Sequence, residues 1–132
     1  MSTPNYTVSM VAYPVLPGEA APVGSCLVKV GTVYQVSTLA ARGTLKSSGV
    51  VTSAGAVNGG VFMQSFGDIP ASISGLSAGT AGYIRVGDTG LIERADPITS
   101  ADDIIGFCET DGSCHLFFGG LISPSMAIIS GV

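Results

Sequence analysis

The sequence predicts an all-β domain, a small β-sandwich or barrel built from hairpins, with an extended N-terminal arm and an apolar C-terminal tail. Three observations predict it. Glycine-centred turn signals recur roughly every 8–12 residues, the spacing of short antiparallel strands. The runs between them are rich in Val, Ile, Tyr and Phe, which suit a pleated surface. Charged residues make up only 11% of the 132 positions, so the dense Glu, Lys and Leu that long helices and coiled coils require are missing.

Residues 1–24 form the first segment. They hold Pro4, Pro14, Pro17 and Pro22, and each proline holds itself and its predecessor to extended geometry. Between them Tyr6–Tyr13 reads as one strand. The segment is either an arm whose Tyr6 and Tyr13 anchor it on a neighbour, or an edge strand of its own domain.

The barrel or sandwich domain is placed at residues 25–120. Cys26–Val30 and Val33–Val36 flank Gly31-Thr32, a two-residue turn of type II′ in which glycine supplies the positive φ. Gly49–Val57 and Gly60–Phe66 flank Asn58-Gly59, the strongest two-residue hairpin signal. Ala81–Val86 and Leu91–Ala95 flank Gly87–Gly90. Asp103–Glu109 and Cys114–Phe118 flank Thr110–Ser113, with Asp111-Gly112 at the centre. Leu39–Leu45 and Ile98–Asp103 each have room for one helical turn. Val28, Val30, Tyr83, Ile84, Val86, Ile104, Ile105, Phe107 and Phe117 are the expected core. There is also an internal echo. Val23-Gly24-Ser25 before Val28-Lys29-Val30-Gly31 resembles Ala78-Gly79-Thr80 before Ile84-Arg85-Val86-Gly87, with one insertion; a duplicated hairpin would leave this, and so would chance in a composition of few residue types.

The last segment, 121–132, carries Leu121, Ile122, Met126, Ile128, Ile129 and Val132 and no charge. Leaving them in water costs about 25 cal/mol per Å² of apolar area. The tail therefore reads as docking on a sister subunit or another protein, with a final strand of the same barrel as the alternative. Neither Ser47–Gly67 nor Gly112–Val132, the two long uncharged stretches, makes a convincing membrane helix, because Gly, Ser and Pro interrupt both. Met1-Ser2-Thr3-Pro4 has no basic start, so no secretory signal is expected.

Charge argues against nucleic acid as a partner. The net charge is −4, which disfavours binding through phosphate neutralisation. It is divided unevenly: residues 1–67 carry three bases and one acid, +2, and residues 68–132 carry two bases and eight acids, −6. Such asymmetry suits two-faced contacts between protein subunits, or a second half with more exposed turns.

Chemistry has little material. His115 is the only histidine, and strand neighbours Cys114 and His115 point to opposite faces, so they cannot share a metal ion. A two-residue turn at Asp111-Gly112 would pair Cys114 with Glu109 and Cys108 with His115, keeping the two thiols apart. Cys26, Cys108 and Cys114 are expected as free thiols acting as small apolar side chains. Asp96, Asp102 and Asp103 lack calcium-loop spacing and read as a solvated loop. No catalytic, metal or cofactor residues are expected, and the chain is not expected to be an enzyme.

Two segments together resemble the capsid decoration (cement) proteins of tailed bacteriophages. Val23–Gly31 is similar to their small residue-Gly-x-x-V-x-V-Gly hairpin. Leu76–Val86, Gly90-Leu91-Ile92 and Ile104–Cys108 are similar to their second half, where an A-G-T-x-x-Y-V strand, a glycine turn and an I-G-x-A/C strand lead to a final edge strand, here His115–Phe118. The resemblance implies a structural protein on the outer surface of the virion, a homotrimer that binds the major capsid protein and stabilises the shell. Docking would fall to Tyr6, Tyr13, Leu121, Ile122, Met126, Ile128, Ile129 and Val132. The alternatives are a head-fibre, neck or tail-fibre adaptor, or a carbohydrate-binding domain that recognises a host surface.

Overall fold

The computed structural model describes residues 13–14, 19–53 and 60–119. Among them the strands are β1 (Tyr13–Pro14), β2 (Cys26–Val30), β3 (Val33–Val36), β4 (Gly49–Ser53), β5 (Gly60–Gln64), β6 (Phe66–Ile69), β7 (Gly82–Val86), β8 (Ile92–Arg94), β9 (Ile104–Cys108) and β10 (Cys114–Phe117). Two single-turn helices, α1 (Leu39–Arg42) and α2 (Ala71–Ser74), lie between them. The fold is all-β, as the turn spacing predicts.

The strands form two five-stranded antiparallel sheets. Sheet I has the order β1-β5-β4-β2-β3, and sheet II has the order β6-β10-β9-β7-β8. Adding five to each number in the first order produces the second, so the chain builds the same topology twice. The internal echo in the sequence falls on β2 and β7, the equivalent strands of the two sheets.

Two cores result. Cys26 and Val50 of sheet I pack with Ile69, Ile84, Val86, Ile92, Ile105, Cys108, Cys114 and Leu116 of sheet II, and Ile73, Leu76 and Phe118 close the cluster. The next residues along the same strands of sheet I, Leu27 and Val51, point the other way and join Ala21, Val61 and Met63 in a second core. This is the period-2 alternation of a strand with both faces buried. The described part of the N-terminal segment takes part: Tyr13 pairs with Val61 as an edge strand, Ala21 is buried, and Glu19 accepts from the Val36 amide at 3.1 Å.

A buried polar network ties the halves together. The Arg42 guanidinium donates to the carbonyls of Ser37 (2.5 Å), Gly87 (3.0 Å) and Val86 (3.1 Å). Asp103 accepts from the Ser47 amide at 2.8 Å, and the Ser47 and Ser37 hydroxyls share a bond of 2.6 Å. Desolvating a charge this way is tolerable only with its bonds made.

Several expectations need correction. The strand expected at Gly60–Phe66 breaks at Ser65, and its end crosses into sheet II as β6. The Gln64 amide fixes that crossing by donating to the carbonyls of Phe66 and Asp68, both at 3.0 Å. Val51 stands opposite Met63, three residues from the partner, Phe66, that a two-residue turn at Asn58-Gly59 gives without bulges. Residues 54–59, which include that turn, are outside the described residues. β10 is not an edge strand, because β6 pairs along its free side. Ile98–Asp103 forms no helix; Asp102 instead folds back on Thr99, accepting its amide at 2.7 Å. The second helix, α2, was unanticipated: Pro70 precedes it and Gly75 ends it at φ 74°. Val28, Ile84, Val86, Ile104 and Ile105 are buried, but Val30, Tyr83, Phe107 and Phe117 are only partly so.

The β9–β10 turn also differs in length. Glu109 donates to the Ser113 carbonyl (2.8 Å) and Gly112 to the Glu109 carbonyl (3.1 Å), with Gly112 at φ 92°. This is a three-residue loop, a type I turn followed by a left-handed glycine. The β7–β8 loop repeats it, with Gly87 bonded to Leu91 and Gly90 at φ 87°. The register moves accordingly: Cys114 faces Cys108, and His115 faces Phe107.

Candidate functional surface

Of the residues expected to dock on partners, Tyr6, Leu121, Ile122, Met126, Ile128, Ile129 and Val132 lie outside the described residues. The backbone of Tyr13 lies on sheet I of its own chain. The described surface offers apolar candidates that sequence reasoning missed. Val23, Leu39, Leu45, Phe62, Phe66 and Leu91 are exposed. Phe62 and Phe66 flank the crossing between the sheets. Phe117 stands opposite Phe66 on β10, and Phe118 donates its amide to the Ser65 carbonyl at 3.0 Å. The pairing of β6 with β10 thus brings Phe66, Phe117 and Phe118 close to the crossing. The signal was present in the spacing of Phe62 and Phe66, but a single continuous strand would have put them on one ordinary face.

The outer face of sheet II carries the titratable groups. His115 lies between two carboxylates, its Nδ1 at 2.6 Å from Asp68 and its Nε2 at 2.7 Å from Glu109. The bonds to Asp68 and then Glu109 raise its pKa above the ordinary value for histidine. Arg85 bridges Asp102 at 3.1 Å and Glu93 at 3.3 Å. Beside them Tyr83 and Phe107 meet edge to face, with ring centroids 5.5 Å apart. They wall a cleft of about 400 Å³ that Arg94 and Asp96 also line. The Arg94 Nε donates to the Thr80 carbonyl at 2.8 Å, whereas one of its terminal nitrogens is buried without a bond. An aromatic wall with a few polar groups at its rim can hold a small polar molecule with an apolar face.

The acids do not all behave as a solvated loop. Asp96 is exposed, but Asp102 is paired with Arg85 and Asp103 is buried against Ser47. That correction has a topological cause, since Ser47 lies 56 residues away in the chain. Cys26, Cys108 and Cys114 are buried free thiols. Burial pushes Cys26 far above the ordinary thiol range and Cys114 up to about 11, so neither is a ready nucleophile. Among the described residues, no group of three or more His, Cys, Asp or Glu side chains is placed to hold a metal ion, and no helix is long and apolar enough to cross a membrane. Comparisons of this chain with protein-family models, curated proteins and solved structures found no match.

Proposed function

We propose that the protein is a non-enzymatic capsid decoration protein of a tailed bacteriophage, a homotrimer bound to the outside of the head across joints between major capsid subunits. The observation that carries the reading is the sequence resemblance over residues 23–118. Its quoted segments coincide with β2 and its turn, with β7, with the turn into β8, and with β9. The all-β fold and the exposed Phe62 and Phe66 are compatible with it.

The mechanism is linkage. A protein that binds only the assembled, expanded shell stabilises that state by mass action. Many symmetric copies make each modest contact count through avidity. Docking falls to the apolar tail, to the N-terminal segment with Tyr6 and Tyr13, and to the Phe62–Phe66 patch. The head-fibre, neck or tail-fibre adaptor shares these features and differs in copy number.

The test is the ratio of this chain to the major shell protein in purified particles. A ratio near the number of capsid subunits, or of their three-fold joints, is expected. A handful of copies moves the protein to the neck, fibre or tail, and absence from particles overturns the virion reading. The Tyr83–Phe107 cleft favours a second reading, a saccharide-binding domain. Pyranose faces stack on aromatic rings, and Arg94 and Asp96 supply a donor and an acceptor for hydroxyls. Saccharide-induced shifts of the Tyr83 and Phe107 ring resonances would support that reading, and their absence across a panel of simple hexosides would remove it.

A further inference from the structure

We infer that Cys108 and Cys114 are a disulfide site, reduced in this structure and closed by exchange with a low-molecular-weight disulfide. The three-residue loop at Thr110–Gly112 sets the register that makes this possible. Glu109 and Ser113 form the hydrogen-bonded pair next to the loop, so the following pair, Cys108 and Cys114, is a non-hydrogen-bonded one. Such pairs hold their Cα atoms about 4.5 Å apart, at the short end of the roughly 4.4–6.8 Å that disulfides span. Both side chains point to the same side of the hairpin, into the core shared by the two sheets. Neither sulfur is held away by a strong partner: Cys108 Sγ is 3.9 Å from the Thr80 carbonyl and Cys114 Sγ 3.4 Å from that of Gly112. Opposed Cβ atoms of a non-hydrogen-bonded pair stand at the near end of about 4.5–5.5 Å, within a small adjustment of the roughly 3.5–4.5 Å of a bridge.

The reaction balances with glutathione disulfide as oxidant. One cysteine thiolate attacks a glutathione sulfur, forms a mixed disulfide and releases one glutathione thiolate. The second cysteine then attacks the protein sulfur of that mixed disulfide and releases the other. Two thiol hydrogens leave the protein as two molecules of reduced glutathione. Both thiols are fully buried, so the exchange runs while the hairpin forms or opens rather than in the closed protein. The inference is independent of the proposed function, because it rests only on register and burial.

The test uses the full chain, refolded in a glutathione redox buffer and in parallel under reducing conditions, then alkylated in denaturant. The expected result is a fall from three free thiols to one, a mass lower by two hydrogens, and a peptide map joining Cys108 to Cys114 with Cys26 alkylated. Cys108→Ser refolded in the same way should lose no hydrogens and keep both remaining thiols. Three free thiols in correctly folded protein after oxidative refolding overturn the inference. So does a bridge that maps to Cys26.

Discussion

His115 shows how two neighbours set the behaviour of one side chain. Each of its ring nitrogens faces a carboxylate, and only the doubly protonated imidazolium donates to both at once. Its pKa is therefore raised by Asp68 first and Glu109 second. A group whose pKa is higher folded than unfolded contributes stability that is complete below the unfolded value. That contribution is lost as pH rises through the folded value. All three side chains are about half exposed or more, so the contribution is below about 1 kcal/mol and is screened by salt. Proton NMR should place the His115 titration above that of an unstructured histidine, and Asp68→Asn should move it down. An unshifted titration in the parent chain would show that solvent dissolves the clamp.

At the scale of elements, the turns were the most legible part of the sequence and their lengths the least. Gly31-Thr32 closes β2 onto β3 with Val30 opposite Val33, as the two-residue signal required. The loops ending at Gly90 and Gly112 are each three residues, because a left-handed glycine follows a type I turn in both. That single residue of difference decides which side chain Cys114 faces. The break at Ser65 was illegible, because Gly60–Phe66 alternates like one strand and only the buried Gln64 amide redirects it. Asp103 and Arg42 were misjudged or overlooked for a related reason: their partners are 56 residues away for the one and up to 45 for the other. Gly112 offers the test at this scale. A Cβ there would collide with the Leu76 carbonyl oxygen, in a backbone conformation that disfavours side chains. Gly112→Ala should lower stability by about 2 kcal/mol or more, read from the midpoint of urea unfolding. A midpoint equal to that of the parent would mean that the turn can be rebuilt without cost.

For the whole molecule, the fact to explain is that sheet II does not own its core, whereas sheet I has a second one to itself. The larger cluster takes Cys26 and Val50 from sheet I and most of its members from sheet II. The second cluster lies on the far face of the same β2 and β4 strands, so β2 and β4 are shared walls. Leu27→Ala, in the second core, and Ile84→Ala, in the first, should each cost about 2–5 kcal/mol. Both variants should still unfold in one transition followed equally by Tyr34 on sheet I and Tyr83 on sheet II. Two separated transitions would show that the halves are independent. The fold class and most strands were readable because they depend on local turn chemistry. The shared core, the crossing at Ser65 and the repeated strand order were not, since each is a relation between distant parts of the chain. The repetition has a consequence for the surface. Two identical copies associating about a dyad must show the outside world one pattern twice. A single chain that carries the pattern in tandem is free of that symmetry, and the halves here differ in net charge, +2 for residues 1–67 and −6 for residues 68–132. A partner that binds residues of the first half therefore meets a different net charge from one that binds residues of the second.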